Sequence, residues 1–134
     1  MTPLLVACAL GTVAVDLDEE EDAEVVDDAL PATDPPAVEL PLLVAAAAHG
    51  STVVAVVDRR PPLVVSNDGG RTWREAGAGL GRAVAVAISP VHPDLIAVAT
   101  EERIHVSHDG GRFWSALAVE LPAITAIAFL PVAV

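Results

Sequence analysis

The sequence feature that most constrains the fold is an eight-residue turn motif that occurs twice. Ser66 to Trp73 reads SNDGGRTW and Ser107 to Trp114 reads SHDGGRFW; we call these the 66–73 box and the 107–114 box, and they begin 41 residues apart. Short apolar runs lie on both sides of each box. A turn motif that returns at about this interval between short apolar runs is typical of stacked four-stranded β-sheets.

The residues before each box predict two strands joined by a turn, and the same arrangement occurs a third time near the start of the chain. The third copy leads into a degenerate box that keeps acidic residues at Asp16 and Asp18. The predicted strand pairs are Val53–Val57 with Leu63–Val65, Leu95–Ala99 with Ile104–Val106, and Leu4–Cys8 with Val13–Val15. Each copy therefore contributes two adjacent strands and a turn.

Further apolar runs predict the inner strand of each sheet, and the short polar runs after the boxes predict the outer strand. The inner runs are apolar at nearly every position, which is typical of strands covered on both faces. They are Leu42–Ala48, Ala83–Ile88 and Ala123–Phe129. Helix is the alternative for the first run because of its four alanines, but the position of that run in the repeat favours a strand.

The repeats divide the single domain, residues 1–134, into incomplete and complete units. The first unit lacks an inner strand, and the last predicted strand has no unit behind it. The predicted parts are a degenerate first unit at 4–26, an acidic Pro-rich insertion at 27–41, a second unit at 42–76, a third unit at 83–118 and a closing strand at 123–129. We expect the closing strand of one chain to complete the first unit of a second chain, so that a homodimer forms a closed ring of six units.

The boxes have a physical role as turns. The carboxylates of Asp68 and Asp109 can accept backbone N–H groups across the turn, and Gly70 and Gly111 can adopt positive φ without steric cost. The tryptophan at the end of each box begins the outer strand and is expected to pack against a neighbouring sheet.

These residues resemble the Asp-box, or BNR, repeat of β-propellers, whose pattern is Ser-x-Asp-x-Gly-x-Thr-Trp. The 66–73 box matches every fixed position, with Ser66, Asp68, Gly70, Thr72 and Trp73, and the 107–114 box matches at Ser107, Asp109, Gly111 and Trp114 but has Phe113 in place of threonine. The resemblance implies an all-β propeller with about three blades per chain, a half-propeller, in which the boxes are structural. The family includes sialidases and other glycosidases, sorting-receptor ectodomains and photosystem assembly factors, so the resemblance leaves the function open.

Catalytic and metal-binding patterns are weak. The chain has no tyrosine, which sialidase-like propellers use as the nucleophile. Arg103-Ile104 resembles the arginine motif of those enzymes, but the next residue is His105 where that motif has proline. The four histidines lack metal-ligand spacing. The acidic run at 18–22 is compatible with a calcium loop, although a solvated acidic turn is the alternative. No catalytic residue, metal or cofactor is predicted.

The charge balance limits the partners that the protein can bind and indicates the kind of organism it comes from. The chain has seven Lys plus Arg residues, all of them Arg, against nineteen Asp plus Glu, for a net charge of −12, which argues against nucleic acid as a partner. We expect a cytoplasmic protein from a high-salt organism, with an acidic protein from a GC-rich genome as the alternative.

Cys8 is the only cysteine, so an intrachain disulfide is excluded. Leu5 to Cys8 resembles a bacterial lipobox, and a buried strand thiol is the alternative. The mean hydropathy is positive, but the apolar runs are too short to predict a membrane span.

One cluster of charged residues is the best candidate binding surface. It lies on the predicted face opposite the boxes and consists of Arg59, Arg60, Arg82, Glu101, Glu102 and Arg103. Guanidinium groups suit carboxylate or phosphate ligands, although pairing with the acidic residues nearby is the alternative. The sequence thus favours a non-catalytic scaffold or protein-interaction module that forms a homo-oligomer. The alternatives are a propeller that binds a small anionic ligand or a glycan and, less favoured, a glycoside hydrolase.

Overall fold

The computed structural model describes residues 3–17, 23–27, 30 and 36–130, which form twelve β-strands. The strands are β1 (Pro3–Cys8), β2 (Gly11–Asp16), β3 (Ala23–Val26), β4 (Leu43–His49), β5 (Thr52–Val57), β6 (Leu63–Ser66), β7 (Arg74–Ala76), β8 (Ala85–Ile88), β9 (Ile96–Ala99), β10 (Arg103–Ser107), β11 (Ser115–Glu120) and β12 (Ala126–Phe129). The run at 42–48, for which helix was the alternative, is a strand.

The strands form three four-stranded antiparallel sheets. The first sheet has the order β12-β1-β2-β3, the second β4-β5-β6-β7 and the third β8-β9-β10-β11. Neighbours in the second and third sheets are joined by short turns along the chain, as expected for antiparallel meanders. The all-β prediction with four-stranded antiparallel sheets is confirmed, and the arrangement of strands within each sheet is consistent with a propeller blade.

The third sheet lies in the middle of the stack. One of its faces presents Ile96, Val98 and Trp114 to the second sheet, which contributes Val54 and Val65 among others. Its other face packs against the first sheet in a second cluster. Strand β8 accordingly contacts β4 on one side and β12 on the other. Because successive side chains of a strand point to opposite faces, a nearly continuous apolar strand such as β9 fits a sheet that is covered on both sides.

Strand β12 completes the first sheet within its own chain. Leu4 pairs with Phe129 and Ala7 pairs with Ala126, while the backbone N–H of Thr125 donates to the carbonyl of Ala7 at 2.9 Å. Residues 123–129 were expected to complete the first unit of a second chain; in the single chain described, β12 fills that place in its own first sheet. Backbone hydrogen bonds hold the 121–124 connection on both sides. The carbonyls of Glu102 and Glu101 accept the N–H groups of Leu121 and Ile124, and the carbonyl of Pro122 accepts the N–H of Ala9.

The first sheet turns most of its bulky side chains toward the third sheet. Strand pairing places Leu4, Val6, Val13, Ile127 and Phe129 on one face, and all of them belong to the cluster shared with the third sheet. The opposite face carries the alternate residues. Ala7, Ala14, Ala126 and Ala128 are half-buried there, and Leu5, which pairs with Ala14 and Ala128, is 1% exposed.

Strand β4 is more exposed than its sequence predicts. Leu42 is 60% exposed and Val44 is 47% exposed, although the run was expected to be covered on both faces. The reason is its position at the end of the stack, where the third sheet covers only one side of the second sheet. The other side is covered only in part, by residues 36–40.

Candidate functional site

The 66–73 box is a turn held by its own side chains. The hydroxyl of Ser66 donates to Asp68 Oδ1 at 2.7 Å and accepts the backbone N–H of Gly70 at 2.8 Å. Asp68 Oδ1 also accepts the N–H of Thr72 at 2.9 Å, and the Thr72 hydroxyl donates to Oδ2 at 2.6 Å. The hydrogen bonds from Thr72 and then Ser66 hold the pKa of Asp68 well below its ordinary value. Gly70 has φ +97°, a conformation that favours glycine.

The 107–114 box repeats this geometry with one difference. Ser107 donates to Asp109 Oδ1 at 2.7 Å, and the backbone N–H of Phe113 donates to the same oxygen at 3.0 Å. These two bonds lower the pKa of Asp109. Phe113 has no hydroxyl to offer the second carboxylate oxygen, and its ring is 79% exposed.

Each box is also tied to the first turn of its own sheet. The N–H of Gly69 donates to the carbonyl of Ser51, and the N–H of Gly110 donates to the carbonyl of Asp94. Arg74 Nη2 donates to the Gly110 carbonyl at 2.6 Å, which links the second sheet to the third. The boxes thus connect strands and sheets, and their carboxylates are used as turn acceptors.

The two tryptophans have different surroundings. Trp114 packs between the second and third sheets, and its indole N–H donates to the carbonyl of Gly111 at 3.0 Å. Trp73 was expected to pack against a neighbouring sheet as well. It instead lies beside its own sheet, in a small cluster with Val38 and Leu40. Sequence reasoning treated residues 27–41 as an exposed insertion and missed this packing, which the alternation of apolar residues at 36, 38 and 40 could have indicated.

The structure brings Arg59, Arg60 and Arg82 to one cavity of about 280 Å³, which Asp58 and Val57 also line. Arg59 and Arg60 lie in the β5–β6 turn. Two backbone hydrogen bonds fix the start of that turn, from the N–H of Val57 to the carbonyl of Pro62 at 2.8 Å and from the N–H of Asp58 to the carbonyl of Leu42 at 2.9 Å. Arg82 lies in the connection between β7 and β8.

Local pairing neutralises only part of this cluster. Arg82 Nε lies 3.5 Å from Asp58 Oδ1, with the two side chains 73% and 52% exposed. Among the ion pairs of the described residues, none engages Arg59 or Arg60. We call Arg59, Arg60 and Arg82 the arginine cluster. Two of its guanidinium groups thus have no ion-pair partner among the described residues, on a chain whose net charge is −12.

The other members of the predicted binding surface lie outside this cavity. Arg103 forms an ion pair with Glu120, the residue opposite it on β11. Glu101 and Glu102 are exposed, and their backbone carbonyls accept the N–H groups of Ile124 and Leu121. The structure therefore gathers three of the six predicted residues at one cavity.

Residues 3–17, 23–27, 30 and 36–130 contain no group of three or more His, Cys, Asp or Glu side chains placed to hold a metal ion. Burial, followed by the charge of Arg103, lowers the pKa of His105. Cys8 is a half-buried free thiol. The acidic run at 18–22, including Asp18, lies outside the described residues, whereas Asp16 ends β2.

Within the described part of the chain, no helix is long and apolar enough to cross a membrane. A comparison with protein families, curated proteins and solved structures found no significant match to the chain.

Proposed function

We propose that the chain is a non-catalytic interaction module built of Asp-box propeller blades, and that the arginine cluster recognises an acidic segment of a partner protein. The observation that carries the proposal is the cavity where, among the residues that the structure describes, Arg59 and Arg60 have no carboxylate partner and Arg82 pairs only with the exposed Asp58. Guanidinium groups bind carboxylates through paired N–H donors. In a chain with nineteen acidic residues, arginines at one cavity that no described carboxylate pairs with favour an external anion.

The exposure of the cluster predicts weak binding. An exposed ion pair contributes about 0.2–1 kcal/mol, so three such contacts support only a weak, reversible complex. The net charge of −12 also repels an acidic partner over the Debye length, which is about 30 Å at 0.01 M salt and about 8 Å at 0.15 M. We therefore expect binding to strengthen from 10 to 150 mM KCl, as long-range repulsion is screened, and to weaken again toward 1 M.

A peptide titration tests the site. The probe is an N-acetylated hexaglutamate peptide, measured by isothermal titration calorimetry in 150 mM KCl against wild type and the Arg59→Gln, Arg82→Gln double variant. Arg71→Gln is the matched control, because Arg71 is exposed on the 66–73 box. We expect at least a fivefold loss of affinity in the double variant only.

Citrate serves as the second ligand and separates the acidic segment from a small anion. Citrate binding that depends on Arg59 and Arg82, without peptide binding, would favour the small-anion alternative and contradict recognition of a protein segment. Equal binding of both ligands to wild type and double variant would contradict the site itself.

The carboxylates of the boxes support a non-catalytic role. Glycoside hydrolysis needs a general acid whose pKa is raised so that it holds a proton near neutral pH. The pKa values of Asp68 and Asp109 are shifted the other way by their hydrogen bonds. These groups are therefore suited to hold turns rather than to donate protons.

A second proposal concerns assembly. The inner strands β4, β8 and β12 follow one another across the stack, as in three consecutive blades, and three blades are fewer than closed propellers usually have. Two chains placed head to tail would supply six. Light scattering across a concentration series tests this proposal, since the ring requires a species of twice the chain mass.

A further inference from the structure

The two box tryptophans are equivalent in the repeat, but a neighbouring sheet covers only Trp114. A Cβ placed on Gly111 would lie 3.5 Å from Trp114 Cζ2 and 3.4 Å from Val65 Cγ2 of the second sheet. A Cβ placed on Gly70 would lie 3.5 Å from Trp73 Cζ2 and would meet no other atom of the described, non-adjacent residues within 4 Å. Each indole therefore packs on the glycine of its own box, and the space beyond that glycine is open only beside Trp73.

The two indole N–H groups differ in the same way. The N–H of Trp114 donates to the carbonyl of Gly111 at 3.0 Å. Among the hydrogen bonds of the described residues, none uses the indole N–H of Trp73. In the same part of the chain, every fully buried side-chain nitrogen or oxygen has a partner, and Trp73 is half-buried. Its indole N–H therefore reaches solvent and is free to donate to a ligand.

Two open cavities adjoin the indole of Trp73. The first has a volume of about 370 Å³ and is lined by residues 36–39 and by the 66–73 box, with Glu39 as its charged side chain. The second has a volume of about 230 Å³, and its polar side chains are Asn67, Asp68, Thr72 and Arg74. Ligand pockets typically measure about 300–1,000 Å³, so these cavities are suited to small rings on either side of one aromatic residue.

The polar groups around the indole supply both donors and acceptors. Glu39 and Asn67 are exposed and form no hydrogen bond or ion pair with another described residue. Arg74 donates from Nη2 to the Gly110 carbonyl at 2.6 Å, and a guanidinium has further N–H donors to offer. A carboxylate accepts, an amide both donates and accepts, and the indole N–H donates.

This combination of groups favours a neutral sugar over other small ligands. A sugar hydroxyl both donates and accepts, and the C–H face of a pyranose ring can stack on the apolar face of an indole. The carboxylates of Glu39 and Asp68 and the net charge of −12 disfavour an anion. The guanidinium of Arg74 disfavours a cation, and an apolar ligand would remove polar groups from water without giving them partners.

We propose that Trp73 and the side chains around it bind a neutral oligosaccharide. One pyranose ring stacks on the indole, and the sugar hydroxyls hydrogen-bond to the indole N–H, Glu39 and Asn67. The site is separate from the arginine cluster, because strand β6 begins at the β5–β6 turn, which carries Arg59 and Arg60, and ends at the 66–73 box. Sugar binding is therefore a second activity of the second sheet, independent of the recognition of an acidic segment.

The indole N–H signals provide a direct test. The chain has two tryptophans, so its ¹H–¹⁵N correlation spectrum contains two indole signals, which the Trp73→Phe variant assigns. The probes are cellohexaose, maltohexaose and the N-acetylglucosamine hexamer, each added up to about 20 mM. We expect at least one of them to shift the Trp73 signal saturably, with a dissociation constant of about 1 mM, and to leave the Trp114 signal in place.

Substitutions at exposed positions test the polar partners. Glu39→Ala and Asn67→Ala should each raise the dissociation constant at least fivefold. Asn67 corresponds to His108 in the other box, so the turn does not require an amide there. Phe113→Ala is the matched control, because it removes the exposed aromatic ring of the other box and should leave the affinity unchanged. In Trp73→Ala the backbone signals of residues 67–74 should no longer respond to the sugar, while an unshifted Trp114 indole signal shows that the sheets remain folded.

Four results would contradict the proposal. A Trp73 signal that does not move with any probe would overturn the sugar site, and equal shifts of both indole signals would show non-specific binding. A saturable shift with tetramethylammonium chloride and none with the sugars would assign the indole to a cation. Unchanged affinity in both Glu39→Ala and Asn67→Ala would overturn the assigned hydrogen bonds. The Arg59→Gln, Arg82→Gln double variant should bind the sugar as wild type does, so the sugar site and the arginine cluster can fail separately.

Discussion

At the scale of single residues, each box is a turn in which an aspartate carboxylate takes the place of a backbone carbonyl as hydrogen-bond acceptor. Asp68 accepts hydrogen bonds from the Ser66 hydroxyl and from both the backbone and the hydroxyl of Thr72. Asp109 makes the corresponding bonds to Ser107 and Phe113 but has no hydroxyl partner at the position of Thr72. The substitution of one residue therefore makes the 66–73 box the better connected turn.

These hydrogen bonds predict a pH dependence of stability. A carboxyl whose pKa is lower in the folded than in the unfolded chain stabilises the fold above its unfolded pKa, near 4, and loses that contribution as the pH falls. We expect Asp68→Asn to unfold at lower urea concentration than wild type at pH 7, and the difference to narrow below pH 4. Glu75→Gln, an exposed substitution on β7, is the control. A difference that is constant from pH 7 to 2.5 would contradict the assignment.

At the scale of elements, a structural feature can be predicted from the sequence when the residues that cause it lie close together in the chain. The box turns follow from residues within eight positions of each other, and the strands beside them follow from apolar runs of limited length. The sequence therefore predicts the sheets and the acceptor role of Asp68 and Asp109. The partner of β12 depends on the path of the 121–124 connection, which the backbone carbonyls of Glu101 and Glu102 fix, and no local pattern specifies it.

The candidate site, too, could be predicted only where its residues are close together in the sequence. Arg59 and Arg60 are adjacent in sequence, so their proximity is predictable, and Arg82 joins them because the β7–β8 connection passes the β5–β6 turn. Arg103 was grouped with them as a residue of an equivalent turn. Its pairing with Glu120 depends on the register of β10 and β11, which contains an irregularity between Arg103 and His105. A bulge of this kind changes side-chain direction in a way that residue type alone does not indicate.

The β7–β8 connection gives a prediction at this scale, because two of its glycines have similar backbones and different surroundings. Gly77 has φ +77° and Gly79 has φ +90°. A Cβ at Gly77 would lie 2.9 Å from Leu63 Cδ1, whereas a Cβ at Gly79 would meet nothing within 4 Å. Both alanine variants carry a backbone cost of roughly 1–2 kcal/mol. We expect Gly77→Ala to lose about 1–3 kcal/mol more, since Leu63 is fully buried. Urea unfolding measures the difference, and equal losses would show that Leu63 has room to move.

At the scale of the whole molecule, the stack has a well-covered middle and two ends of different character. The third sheet is packed on both faces, the first sheet directs most of its bulky residues toward the third, and the outer face of the second sheet is covered by residues 36–40. The described strands therefore form a single stack in which the middle sheet has the most complete cover.

The charge predicts a salt dependence. A net charge of −12 on 134 residues opposes compaction through self-repulsion, and salt shortens the range of that repulsion to about 3 Å at 1 M. We expect the free energy of unfolding to rise steeply between 0.01 and 0.3 M KCl and then to level off, because screening saturates. The triple variant Glu24→Gln, Glu39→Gln, Glu75→Gln removes three exposed charges and should be more stable at low salt with a shallower rise. The contradicting result would be a parallel gain in the stability of variant and wild type up to 2 M KCl, without levelling off. Salt would then stabilise the fold by strengthening apolar burial, and self-repulsion would not govern the stability of the stack.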